Sequence, residues 1–68
     1  MVEIFFKISN AGLTPNAFYV LYCMHYKLVP DKSVNSSIEV IRLKSLNYVN
    51  KDLELSDKSI KFIQEIEG

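Results

Sequence analysis

The spacing of apolar positions divides the chain into four segments joined by polar or glycine-bearing connections. Val2, Ile4, Phe6 and Ile8 alternate as in a strand, while Ile4, Phe5 and Ile8 fit one helical face, so residues 2–9 read either way. The glycine stop that follows favours helix. From Pro15 to about Lys27 the pattern is helical: 100° steps place Ala17, Phe18, Leu21, Met24 and Leu28 on one stripe and Tyr19, Tyr22 and Tyr26 on another. This helix is apolar on two sides. A third segment, from about Ser37 to Leu46, puts Ile38 and Ile41 on one side and Val40, Leu43 and Leu46 on another, with a strand as the competing reading. In the last segment Phe62, Ile63 and Ile66 form a stripe with Ile60 at its edge, and Lys61, Gln64 and Glu65 face away.

The connections carry their own signals. In Asn10-Ala11-Gly12-Leu13-Thr14-Pro15 the glycine suits the left-handed residue after a helix end, Thr14 an N-cap, and Pro15 the first helical position. Leu13 and Phe18 then form a hydrophobic staple across the cap. Pro30 breaks the polar stretch Val29–Asn35. Ser36-Ser37-Ile38-Glu39 has capping-box spacing, and Ser56-Asp57 caps the last helix. Between them Tyr48-Val49-Asn50-Lys51-Asp52-Leu53-Glu54-Leu55 alternates about an Asn-Lys-Asp centre, which predicts a short two-stranded hairpin.

Gly12-Leu13-Thr14-Pro15, Leu43-x-x-Leu46-Asn47-Tyr48-Val49 and Leu53-Glu54-Leu55-Ser56-Asp57-Lys58-Ser59 together resemble winged-helix regulators of the MarR and PadR type, here in a shortened form. The resemblance implies a mainly α (α+β) domain over residues 1–68, with three to four helices and a minimal two-stranded β wing. It also implies contact with double-stranded DNA through the helix before the wing and through the wing tip. The pattern departs from those families in three places: Ser59 and Asn47 stand where they carry glycine, and only one helix fits between Tyr26 and Leu43. Asn47 tolerates left-handed backbone angles.

Sixty-eight residues make one domain with a small core, since such a chain buries only about 60% of its unfolded surface, so a homodimer or a protein partner is expected. Eight acids balance eight bases, which argues against a strong non-specific grip on phosphates. Cys23 has no second cysteine to pair with, the first residues carry no basic leader, and no run is long enough to cross a bilayer; an intracellular protein is expected. Abundant Ile, Lys and Asn suit an AT-rich genome such as a phage's.

On the regulator reading, Arg42, Lys44 and Lys51 contact DNA, with Lys32, Asn35 and Ser37 adding backbone contacts. The alternative is that these are solvated polar positions, and Glu39, Asp52 and Glu54 beside them would repel phosphate. Tyr19, Tyr22 and Tyr26 form either a protein interface or a row packed against neighbouring helices. This row suits the second function expected, a non-enzymatic adaptor that docks another protein. Cys23 and His25 point apart on one helix and form no nucleophile–base pair, and one Cys with one His makes no usual zinc site. No cofactor, small-molecule ligand or enzymatic activity is expected.

Overall fold

The computed structural model describes residues 2–68, with side chains from Glu3 onward; Met1 and the Val2 side chain lie outside it. The described residues form four helices: α1 (Val2–Asn10), α2 (Pro15–Tyr26), α3 (Ser36–Ser45) and α4 (Asp57–Glu67). The first segment is thus helical, and the alternation that allowed a strand has no partner strand among the described residues.

The expected α+β winged-helix domain is not what the chain adopts. Among the described residues there is no strand and no sheet, and one isolated antiparallel bridge, Val49 to Leu55, stands where the two-stranded wing was expected. Asn50 is the cause. Its side-chain oxygen accepts from the backbone N–H of both Asp52 and Glu54 at 2.9 Å, and its own N–H donates to Glu54 O at 2.9 Å. Those bonds curl residues 50–54 into a closed loop, and Leu53 sits at φ 63, a left-handed angle that no strand contains. Tyr48 and Val49 are both buried, so the alternation of a hairpin is already broken where the first strand would begin.

Three helices end by the same device. After α1, Gly12 (φ 80) donates to Ser9 O and Leu13 N–H to Ile8 O. After α2, Lys27 (φ 57) and Leu28 bond Met24 O and Cys23 O; after α3, Asn47 (φ 66) and Tyr48 bond Lys44 O and Leu43 O. Each is a paired closure in which a left-handed residue turns the chain back and satisfies two orphan carbonyls. Gly12 does this without strain and Asn47 with little, whereas Lys27 adopts the angle at a cost of about 1 kcal/mol.

α2 is the centre of the molecule and touches the other three helices. Ala17, Val20, Leu21 and Cys23 are buried on it, and the core is completed by Ile8, Leu13, Leu43, Tyr48, Val49 and Ile63. Both of its apolar sides are used, although Leu28, expected on the inner stripe, lies beyond the left-handed turn at Lys27 and is exposed. Thr14 caps α2 as expected, its Oγ1 accepting from Ala17 N–H at 3.1 Å. The cap of α3 is shifted by one residue: Asn35 Oδ1 accepts from Ile38 N–H at 3.3 Å, so Ser36 lies inside the helix and Glu39 is released from the capping-box role. Ser56 precedes α4 but its hydroxyl donates to Asn47 O at 2.8 Å and Tyr48 O at 3.2 Å, tying the 48–56 loop instead of the helix end.

Two clefts flanking helix α3

α3 has one covered side. Leu43 is fully buried beneath it, Val40 and Leu46 are half-buried, and the alternative side carries Ile38 (47% exposed) and Ile41 (65% exposed). These two isoleucines form a ridge between two depressions. On the Ile38 side, Thr14, Asn16, Val34, Asn35, Glu39 and Arg42 line a cleft of about 260 Å³. On the Ile41 side, Ser36, Ser37, Val40, Lys44 and Leu53 line a groove of about 370 Å³.

The first cleft contains a buried acid. Glu39 is 5% exposed, its Oε1 lies 3.2 Å from Arg42 Nη1, and its Oε2 is buried without a hydrogen-bond partner. A helix beginning at Ser36 turns position 39 inward, because residues 36, 39, 40 and 43 share the face toward the core. Sequence reasoning assigned Glu39 to a cap. The signal that could have found it is the one-residue shift to Asn35, itself a strong N-cap.

The groove is mixed, with Val40, Ile41 and Leu53 facing Ser36, Ser37 and one charge, Lys44. Lys44 has no carboxylate partner among the described residues, and Leu53 reaches the groove from the tip of the 50–54 loop, 54% exposed. Leucine in the left-handed region is an outlier that costs about 1–2 kcal/mol. The loop therefore holds an apolar side chain in solvent against both its backbone preference and its hydropathy.

The residues expected to touch DNA are divided between these features. Arg42 is exposed but paired with Glu39 in the first cleft, where Asn35 serves as the α3 cap; Lys44 and Ser37 line the groove; Lys51 is exposed in the loop beside Leu53, and Lys32 is exposed in the linker. The structure brings them to one helix and its flanking loops without gathering them into a single basic face.

The tyrosine row makes contacts within the molecule, while Tyr19 and Tyr26 stay 37% and 43% exposed. The Tyr19 hydroxyl accepts from Asp31 N–H at 3.0 Å and holds the linker, while the Asp31 carboxylate is kept below its usual range by the Ser33 N–H that donates to it at 2.8 Å. Tyr22 packs between Phe18 and Tyr26, with ring centroids 6.1 and 4.7 Å away, and Phe18 meets Phe62 edge to face at 5.7 Å. The Tyr26 hydroxyl donates to Glu67 Oε2 at the end of α4, and that bond pushes its pKa up to about 12. Tyr48, buried under the loop with its hydroxyl donating to Ala11 O at 3.2 Å, is also pushed up, by burial.

Cys23 is buried and His25 packs against the Tyr26 ring, 4.6 Å between centroids, so the two serve packing. No cluster of three or more His, Cys, Asp or Glu able to hold a metal ion occurs among the described residues, and no helix there is long and apolar enough to cross a membrane. Compared with known proteins, the chain matches no family model, no curated protein and no solved structure.

Proposed function

We propose that the chain is a non-enzymatic protein-interaction module that docks an apolar, acid-bearing segment of a partner polypeptide onto the outer face of α3. The observation that carries this reading is Leu53: a bulky residue held at φ 63 and half in solvent, beside Ile41 and the groove. Strain of that kind persists only where the surroundings impose it, and it concentrates at binding sites. Exposed Ile41 and Leu53 in a shallow groove, with exposed Ile38 on the ridge beside it, suit the apolar anchors of a partner helix or strand. Lys44, the one charge lining the groove, suits a carboxylate on that partner.

A nucleic-acid partner is the second reading, supported by the exposure of Arg42, Lys44 and Lys51. One experiment separates the two. The tagged chain is expressed in its native cells and what it retains is identified, in parallel with Ile41→Lys and Leu53→Gly variants. Retention of a defined polypeptide that both variants lose is the expected result. Retention of nucleic acid that falls steeply with salt and is lost on replacing Lys44 and Lys51 with Ala transfers the function to the second reading.

A further inference from the structure

Glu39 lines the cleft on the Ile38 side, and one of its carboxylate oxygens, Oε2, is buried behind the cleft wall without a partner. Leaving such an atom unpaired is costly, and a native structure retains few of them. The groups around it define what would satisfy it. Glu39 and Arg42 are the only ionisable side chains lining the cleft, and they neutralise each other at 3.2 Å. A cation entering the cleft would meet the Arg42 guanidinium and an anion would meet Glu39. A neutral group with a donor and an acceptor side by side meets both favourably: its N–H donates to Glu39 Oε2, and its carbonyl accepts one of the guanidinium N–H groups that Arg42 has left over. The terminal torsion of a glutamate is broad, so the carboxyl can turn on ligand entry to bring Oε2 from its buried position to the cleft, with Arg42 following the moving carboxylate. About 260 Å³ is less than the roughly 300–1,000 Å³ of a pocket for a drug-sized ligand and suits one side chain.

We infer that the Glu39–Arg42 cleft is a recognition site for a carboxamide, the side chain of an asparagine or glutamine on the partner polypeptide. This rests on the interaction-module reading, because the ridge of Ile38 and Ile41 joins the cleft to the groove and a segment crossing α3 reaches both. The cleft then sets specificity and the groove supplies apolar contact. A polar site of this kind discriminates strongly against a ligand lacking the amide, because the pair is then desolvated without replacement bonds.

The test is a titration of the whole native chain, followed by the backbone amide resonances in NMR, with N-acetyl-glutamine methylamide at millimolar concentration. The same titration is run with the N-acetyl methylamides of methionine and of lysine. The expected result is a saturable shift at Asn16, Glu39 and Arg42 for the glutamine probe, with the other two binding at least fivefold more weakly. Glu39→Met keeps the shape of the side chain and is expected to abolish the glutamine response while the thermal midpoint stays level or rises. A cleft silent to glutamine, or one that answers the methionine or lysine probe equally, overturns the inference. Should that happen while Ile41→Lys still loses the captured polypeptide, the carboxamide site falls and the interaction module stands; if Ile41→Lys keeps the captured polypeptide, the module itself falls.

Discussion

Helices α2 and α3 are of similar length and both are apolar on two sides in sequence, yet the fold treats them oppositely. α2 has α1, α3 and α4 against it, and its aromatic row is closed by Phe62, the Asp31 linker and the end of α4. α3 buries Leu43 and turns Ile38 and Ile41 to solvent. Most of the apolar surface of the first is covered, with Tyr19 and Tyr26 left partly exposed, whereas the Ile38–Ile41 side of the second has nothing packed over it. A surface left largely uncovered by the fold, and flanked by a strained leucine and an unsatisfied carboxylate, is where a partner is to be sought.

The comparison breaks most sharply under truncation. Leu21→Ala on α2 removes a fully buried side chain and is expected to cost about 2–5 kcal/mol. A chain of this size has roughly 3–10 kcal/mol in total, so the variant should be largely unfolded or close to it. Ile41→Ala on α3, the same chemistry at an exposed site, is expected to change stability by no more than about 0.5 kcal/mol. Urea unfolding followed by circular dichroism measures both. A cost for Ile41→Ala approaching that of Leu21→Ala would mean that the outer face of α3 is part of a core, as in a folded dimer, and the contrast between the helices would disappear.

Much of the α2 side was legible and much of the α3 side was not, for a physical reason. The corner at Gly12-Leu13-Thr14-Pro15 concentrates a left-handed stop, a cap and a helix-starting proline within four residues, and these are local effects that need no tertiary knowledge. The α4 stripe was legible likewise, with Ile63 buried and Lys61, Gln64 and Glu65 exposed. Around α3 the same local logic misled by one residue. Asn35 and Ser36 are both good caps; choosing Ser36 made Glu39 a capping-box partner, whereas the cap at Asn35 leaves it as a buried acid. The 48–55 stretch alternates in hydropathy, but the side chain of Asn50 competes successfully for the backbone donors that a hairpin would use. Neither outcome is encoded in periodicity.

A smaller effect tests whether Leu53 is strained for a purpose. Lys27 and Leu53 share the left-handed angle, at φ 57 and 63, but Lys27 closes α2 and Leu53 faces the groove beside α3. Lys27→Gly relieves the strain and loses only an exposed side chain, so a gain of no more than about 0.5 kcal/mol in urea unfolding is expected after allowing for the greater freedom of glycine in the unfolded chain. Leu53→Gly relieves the same strain but loses a half-buried leucine, and the two terms should nearly cancel, leaving stability within about 0.5 kcal/mol of the parent. A cost near that of a core leucine would make Leu53 structural and remove the argument that the loop exists to display it.

The smallest effect is one of pH, and it sharpens the claim that the aromatic row of α2 is spent internally. Tyr26 donates its hydroxyl proton to Glu67, which raises its pKa from 10.0 to about 12. The folded value lies above the unfolded one, so this bond stabilises fully below about pH 10 and is lost as pH rises toward and through 12. Tyr48 shifts in the same direction through burial and adds to the same alkaline loss. The urea midpoint should therefore fall above pH 10, and less steeply in Tyr26→Phe, which has no proton to lose there; below pH 9 the variant should differ from the parent by a small constant amount, because the bond is exposed to water. If Tyr26→Phe leaves the alkaline slope unchanged, the phenol is not engaged with Glu67 in solution. That end of the row would then be free for a partner, and α2 would share the role here given to α3.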